Sequence, residues 1–228
     1  MALVLIAAEA GEFRGLLRFL EDVRVVRGRI DFLRTGRLNG RRVVVAANGQ
    51  GPGLAAAAVE QAAGVEETGV EGLVSTGYCG ALDETLRAGG IFVATSVNGQ
   101  PVAQPVCDLP FRSGPLLSVD RIVGTAAEKR QLAAAGAMAV EMEAAAVGAA
   151  ALTRGVPFYC VRVVSDEAGE DLPLDFNRFR NPDGRLSRRR IAAAALKHPG
   201  RIPALIKLDR SANRASQALG EFLVNCQF

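Results

Sequence analysis

The chain is poor in the residues that most often carry metal and nucleophile chemistry. Its only histidine is His198, and its four cysteines, Cys79, Cys107, Cys160 and Cys226, include no close pair. That spacing argues against the usual zinc patterns and against a disulfide framework, and it fits a reduced, cytoplasmic setting. His198 sits beside Pro199 in a polar turn and reads as an ordinary surface residue, which removes most Ser-His and Cys-His mechanisms. No apolar run reaches eighteen residues, so no membrane-spanning helix is expected. The N-terminus lacks a basic region and its short apolar run ends at Glu9, the pattern of a buried strand and not of a signal peptide. Neither an internal repeat nor an inter-domain linker is visible. The 228 residues suffice for a single α/β domain, 1–228, that buries most of its apolar surface.

Charge is unevenly spread. The chain carries 27 Lys and Arg against 24 Asp and Glu; between Arg178 and Arg214 there are eleven basic residues and only two acids, Asp183 and Asp209. The rest is therefore mildly acidic and the C-terminal part forms a basic pole. Such a run is either a solvated helical face or a surface for peripheral contact with an anionic membrane, centred on Arg188, Arg189 and Arg190. Nucleic acid is not expected as a partner, because no aromatic residues interleave the arginines.

β-Branched apolar runs at about 2–8, 42–48, 71–77, 90–97 and 157–165 read as buried strands. Alanine-rich stretches at about 12–22, 53–67, 125–135 and 142–154 read as helices between them, followed by two more at about 187–197 and 201–223. This alternation predicts an α/β layered architecture with a substantially parallel sheet. Residues 98–120 hold four prolines and little periodicity, and are expected to be a long loop, either functional or disordered.

Three carboxylates, Glu141, Glu143 and Asp166, stand at the edges of apolar segments, where an uncompensated charge is costly. The plain reading makes Glu141 and Glu143 exposed acids in a first helical turn and Asp166 a cap after a strand. Taken with their neighbours they say more. The segments Ile6 to Glu12, Asn48 to Gly53, Ser75 to Leu82, Glu141 to Glu143 and Val161 to Asp166 resemble, in order and spacing, the nucleoside phosphorylase and nucleosidase superfamily. Within it, Glu128 to Leu132, Gly136 to Glu143 and the tail from Leu172 look most like a hopanoid-associated branch.

The resemblance implies a three-layer α/β/α fold with a central mixed sheet, and cleavage of the N-glycosidic bond of a purine nucleoside by water or by phosphate. It implies no cofactor beyond phosphate as a co-substrate, and a homodimer or hexamer. The hopanoid-like branch implies a 5′-lipid-substituted adenosine such as adenosylhopane; a methylthioadenosine/S-adenosylhomocysteine nucleosidase and a non-catalytic nucleoside-binding protein are the alternatives. By the same resemblance Asp166 protonates the departing purine, with Ser165 orienting it. An aspartic acid, ordinarily near 3.9, holds a proton near neutrality only with burial or a hydrogen bond to its neutral form. Glu12 orients the attacking water, Glu143 accepts from the ribose hydroxyls, and Glu141, also counted with the substrate-binding residues, is backbone-positioned near the site and not catalytic. Met142 is read equally as a sugar contact and as core packing. Gly77, Tyr78, Cys79 and Gly80 form a base-pocket turn, and Phe176 is the aromatic of a lid. Val74 and Ser75 occupy the position where phosphorolytic relatives carry an arginine, which tilts the reading towards hydrolysis, with Arg14 and Arg34 as the remaining candidates for an anion. The turn from Gly49 to Gly53 also invites a dinucleotide-binding reading, but no ribose-binding acid ends the next strand.

Overall fold

A computed structural model describes residues 1–66, 68–197, 200 and 202–228; His198 and Arg201 lie outside them. The strands are β1 (Ala2–Ala7), β2 (Glu21–Val25), β3 (Phe32–Leu38), β4 (Arg41–Ala47), β5 (Val70–Ala81), β6 (Ile91–Val97), β7 (Gln100–Pro101), β8 (Arg112–Ser118), β9 (Ala139–Glu141) and β10 (Phe158–Asp166). The helices are α1 (Pro52–Gly64), α2 (Ala126–Ala133), α3 (Ala144–Arg154), α4 (Arg188–Lys197) and α5 (Ile202–Val224). All ten strands belong to one mixed sheet, in which β4, β1, β5 and β10 run parallel side by side. β10 also pairs with β6, β6 with β8, β8 with β9 and β9 with β5, so five strands close into a ring.

β1 shows why the sheet has a helical layer on each side. All six of its residues are buried. Ala2, Val4 and Ile6 pack with residues of α1 and α3, whereas Leu3, Leu5 and Ala7 pack with Ala215, Leu219, Phe222 and Leu223 of α5. Side chains that alternate across a strand thus serve two cores, and the strand reads as one continuous apolar run. Local signals set the helix ends. Pro52 opens α1, Thr125 and Glu128 form a capping box on α2, and Gly155 closes α3 at φ +64°.

Several expectations are corrected. Residues 12–22 form no helix; two 3-10 turns, Ala10–Phe13 and Leu16–Arg18, lead instead into β2. Here a tertiary contact overrides helical composition. A Cβ on Gly15 would lie 2.1 Å from the Ser216 carbonyl oxygen, and one on Gly220 would lie 2.3 Å from Gly15 C, so two bare backbones touch where α5 crosses. The stretch 98–120 contains β7 and β8 and is not a structureless loop. Pro115 and Gly114 hide β8 from propensity, and Gly114 is bare because Met138 Sδ lies where its Cβ would be. β2, β3 and β9 escaped the sequence reading altogether. The glycine-containing stretch Gly77 to Gly80 is no turn but the distal part of β5, which runs on to Ala81. Cys107 and Cys226, distant in sequence, both pack against the same apolar cluster, next to the antiparallel bridge between Val106 and Gln227.

Candidate active site

The carboxyl ends of β1, β5 and β10 open into a cavity of about 300 Å³. Loops after β1 and β4, the β9–α3 junction, residues 121–123, Leu172, Phe176, Leu186 and two residues of α5, Leu208 and Ala212, complete its wall. Glu12, Tyr78, Cys79, Gly80, Glu141, Met142, Glu143, Ser165, Asp166 and Phe176 all line it. Gly77 does not, but it shapes the cavity from behind. At φ +121° it lets β5 pass so close to Glu12 that a Cβ would stand 2.9 Å from the carboxyl group.

A single buried guanidinium lies between two carboxylates. Arg162, in the middle of β10 and fully buried, pairs with Glu141, donates from Nη1 to the Thr76 carbonyl at 2.8 Å and lies 3.8 Å from Glu143 Oε2. Its Nη2 also donates to Ser75 Oγ at 2.5 Å. No role was read for Arg162 in the sequence, although a lone charge inside the apolar run of β10 was the available signal.

Glu141 and Glu143 are buried, not exposed acids of a first turn. Glu141 ends β9 and accepts from the backbone N–H groups of Glu143 and Ala144, so it caps α3 and fixes the junction on which Glu143 stands. Glu143 Oε1 accepts from Gly51 N–H at 2.9 Å. The glycine turn therefore spends its free amide on a carboxylate of the chain itself, which argues against the dinucleotide reading. Burial, with the charge of Glu141 added and Arg162 opposing, pushes Glu143 up to about 8. Glu12 accepts from Glu9 N–H at 2.9 Å and Tyr78 N–H at 3.1 Å. Burial raises it to about 7, against the pull of those amides and of Arg162. With one guanidinium beside these carboxyl groups, ionising Glu12 or Glu143 leaves an excess of negative charge, an arrangement that favours positive charge on a bound molecule.

Asp166 and Ser165 reach the cavity together because of a bulge. β10 pairs with β5 up to Val164 opposite Cys79, then slips so that Asp166 stands opposite Gly80 and Ser165 is the extra residue. Ser165 Oγ lies 2.5 Å from Asp166 Oδ1 and 3.1 Å from the Cys79 carbonyl oxygen. The setting of Asp166 is less apolar than its strand implied, since the buried amine of Lys129, on α2, donates to Asp166 Oδ2 at 2.5 Å.

Met142 is buried and forms part of the wall. Tyr78 donates its hydroxyl to the Ala212 carbonyl at 2.9 Å, tying β5 to α5. Phe176 begins a 3-10 turn, Phe176–Phe179, anchored by Asn177, whose side chain bonds the backbone of Ile122 through both its oxygen and its nitrogen. The basic pole folds back on the acidic body. Arg185 bonds Asp31 and Asn48, Arg188 bonds Glu9, and Arg180 donates to the Asp120 carbonyl. Arg14 bonds Asn213, and Arg34 stacks 4.7 Å over Phe32; neither lines the cavity. The lining arginine is Arg121, which is paired with Glu128. Among the described residues no His, Cys, Asp and Glu cluster has metal-binding geometry, and no helix is long and apolar enough to cross a membrane.

A family model described as the phosphorylase superfamily matches residues 2–106 and 98–197. A 5′-methylthioadenosine/S-adenosylhomocysteine nucleosidase of Staphylococcus aureus is 28% identical over 178 residues, covering 64% of this chain and 77% of that protein. Among solved structures, the corresponding nucleosidase from Neisseria meningitidis, in complex with methylthio-immucillin-A, superposes with a TM-score of 0.69 at 22% identity, covering 98% of this chain and 97% of the other. The futalosine hydrolase of Helicobacter pylori superposes equally well, with a TM-score of 0.69 at 18% identity and coverages of 98% and 95%. These structural likenesses support the three-layer fold with a mixed sheet.

Proposed function

The chain belongs to the phosphorylase superfamily, and from that premise we propose that it is a cytoplasmic, cofactor-free N-ribosyl hydrolase that releases adenine from a purine nucleoside. The observation that carries this reading is the convergence of Glu12, Glu143 and Asp166, from three distant parts of the chain, on one cavity. As the glycosidic bond lengthens, its electron pair moves to the base and the ribose becomes oxocarbenium-like. Asp166 gives its proton to the base. Glu143 accepts from the ribose hydroxyls and favours the positive ring. Water attacks the anomeric carbon and passes a proton to Glu12.

Water is favoured over phosphate because the lining arginine, Arg121, is engaged by Glu128, and because Ser75 is engaged by Arg162. The nucleosidase similarity supports the same choice. Adenosine, 5′-methylthioadenosine and a long-chain 5′-alkyl adenosine, incubated with and without phosphate, should each be assayed for adenine. Release without phosphate is the expected result. Strict dependence on phosphate would make the enzyme a phosphorylase, and no release under either condition would leave a nucleoside-binding protein.

The 5′ substituent is read from the apolar part of the wall, where Ile122, Val123, Leu172, Phe176, Leu186 and Leu208 would favour an apolar group. A lipid-substituted adenosine belongs to that class, and preference for the alkyl substrate in the same assay would support it over methylthioadenosine. Peripheral membrane contact goes with that substrate and would draw on Arg189 and Arg210, which make no ion pair among the described residues. A homo-oligomer is part of the reading, supported by the exposed Val106, Leu109 and Phe111.

Glu12 and Glu143 set the pH dependence. Glu12 must be ionised to take a proton from water and is held at about 7. Glu143, pushed up to about 8, must be ionised as well to favour the positive ring, so in the free enzyme kcat/KM should rise as pH rises through about 7 to 8 and fall towards acid. A rate unchanged between pH 6 and pH 8 (roughly one pH unit on either side of the Glu12 value) would remove Glu12 from the base role.

A further inference from the structure

Lys129 takes no part in the reaction as written above, yet it is one of the most deeply placed charges in the molecule. It is 0% exposed, and its amine donates three hydrogen bonds: to Asp166 Oδ2 at 2.5 Å, to the Glu167 carbonyl at 2.7 Å and to the Glu170 carbonyl at 3.0 Å. A buried ammonium is costly unless its donors are met and its charge is paired. Here all three hydrogens are used, and the one carboxylate partner is Asp166. The side chain crosses to the end of β10 from α2, a helix whose start is fixed by its own capping box. Lys129 does not line the cavity, so any influence on a bound nucleoside passes through Asp166.

The two oxygens of Asp166 are not equivalent. Oδ2 faces an amine, which can only donate. Oδ1 faces Ser165 Oγ at 2.5 Å, and that hydroxyl also lies 3.1 Å from the Cys79 carbonyl, which can only accept. A serine hydroxyl has one hydrogen. When Ser165 donates it to Cys79, the hydrogen in the Oγ–Oδ1 contact belongs to Asp166. The ammonium at Oδ2 pairs with the ionised carboxylate; when Asp166 takes up its proton only Oδ1 is left to hold it, because Oδ2 stays the acceptor for the lysine. Gly80 keeps this geometry open, because a Cβ there would press on Oδ2 at 3.1 Å.

We infer that Lys129 is a positioning residue for the general acid: by holding Oδ2 as an acceptor it assigns the transferable proton to Oδ1. The inference rests on the reading of Asp166 as the acid. In the step itself the electron pair of the glycosidic bond goes to the base, and the base takes the Oδ1 proton. The carboxylate left behind is held by the Lys129 ammonium at Oδ2 and by the Ser165 hydroxyl, now turned to Oδ1. Water returns the proton after the base has left, and Lys129 keeps its three hydrogens throughout.

A double-mutant cycle on 5′-methylthioadenosine tests this, with p-nitrophenyl riboside as a second substrate whose phenolate departs without a proton. Lys129→Met keeps the length of the stem and removes the donor. It should lower kcat for adenine release by about tenfold or more with KM nearly unchanged, while p-nitrophenol release stays within about threefold of the parent. The double variant Lys129→Met/Asp166→Asn should release adenine no more slowly than Asp166→Asn alone, because a residue acting through Asp166 has nothing left to position. Equal slowing of both substrates by Lys129→Met, or a further drop in the double variant, would overturn the inference and leave Lys129 a structural tie. If Lys129→Met does not fold, the double variant, which removes both partners of the buried pair, still makes the comparison with Asp166→Asn. The acid reading fails separately: Asp166→Asn would then release adenine at the parental rate, whatever Lys129→Met does.

Discussion

Asp166→Asn is expected to slow adenine release by about a hundredfold or more, since a positioned general acid contributes about 10²–10⁴ in rate, while the protein still folds but melts below the parent because the buried Lys129 ammonium loses its carboxylate partner. The substitution keeps shape and an acceptor oxygen, so the Lys129 amine, which also bonds the carbonyls of Glu167 and Glu170, keeps its three hydrogen-bond acceptors though not its counter-charge. What is lost is the acidic proton. The effect belongs in kcat, because the interaction strengthens as the base departs and negative charge builds on it. A thermal melt measured beside the rate separates lost chemistry from lost fold. Turnover at the parental rate with an intact fold would sink the assignment of Asp166.

Arg162→Met is expected to cost about 3–5 kcal/mol of stability, the range for removing one partner of a buried ion pair. Arg162 is fully buried and counters Glu141 directly and Glu143 at 3.8 Å. Without it, two buried carboxylates face each other across the start of α3, and the Ser75 hydroxyl and the Thr76 carbonyl lose a donor. Urea unfolding should show the midpoint moving with little change in slope. Adding Glu141→Gln to Arg162→Met should recover part of the loss, since it removes a charge left without a partner. A loss below about 1 kcal/mol for Arg162→Met would mean that solvent and neighbouring amides already compensate the carboxylates.

Local pattern was enough for much of this molecule. β1 and the core of β10 are recognisable because strands buried on both faces are continuous apolar runs, and α1, α2 and α3 because their alanine-rich stretches carry their own start and stop residues. Acids at the ends of such runs stand out for the same reason: Glu141, Glu143 and Asp166 sit where bare charge is costly, and the order of the segments that carry them, with that of Glu12, pointed to the family. Other features depend on residues distant in sequence. The 3-10 turns before β2 exist because α5 lies on Gly15, and β8 forms between β6 and β9 in spite of its proline and glycine. Glu141 and Glu143 share Arg162, and Asp166 meets Lys129 only because α2 packs beside the end of β10. Periodicity and capping are written in neighbouring residues and can be read along the chain. Which charge meets which carboxylate, and which oxygen it meets, is decided by packing between segments tens of residues apart, so those relations belong to the tertiary structure alone.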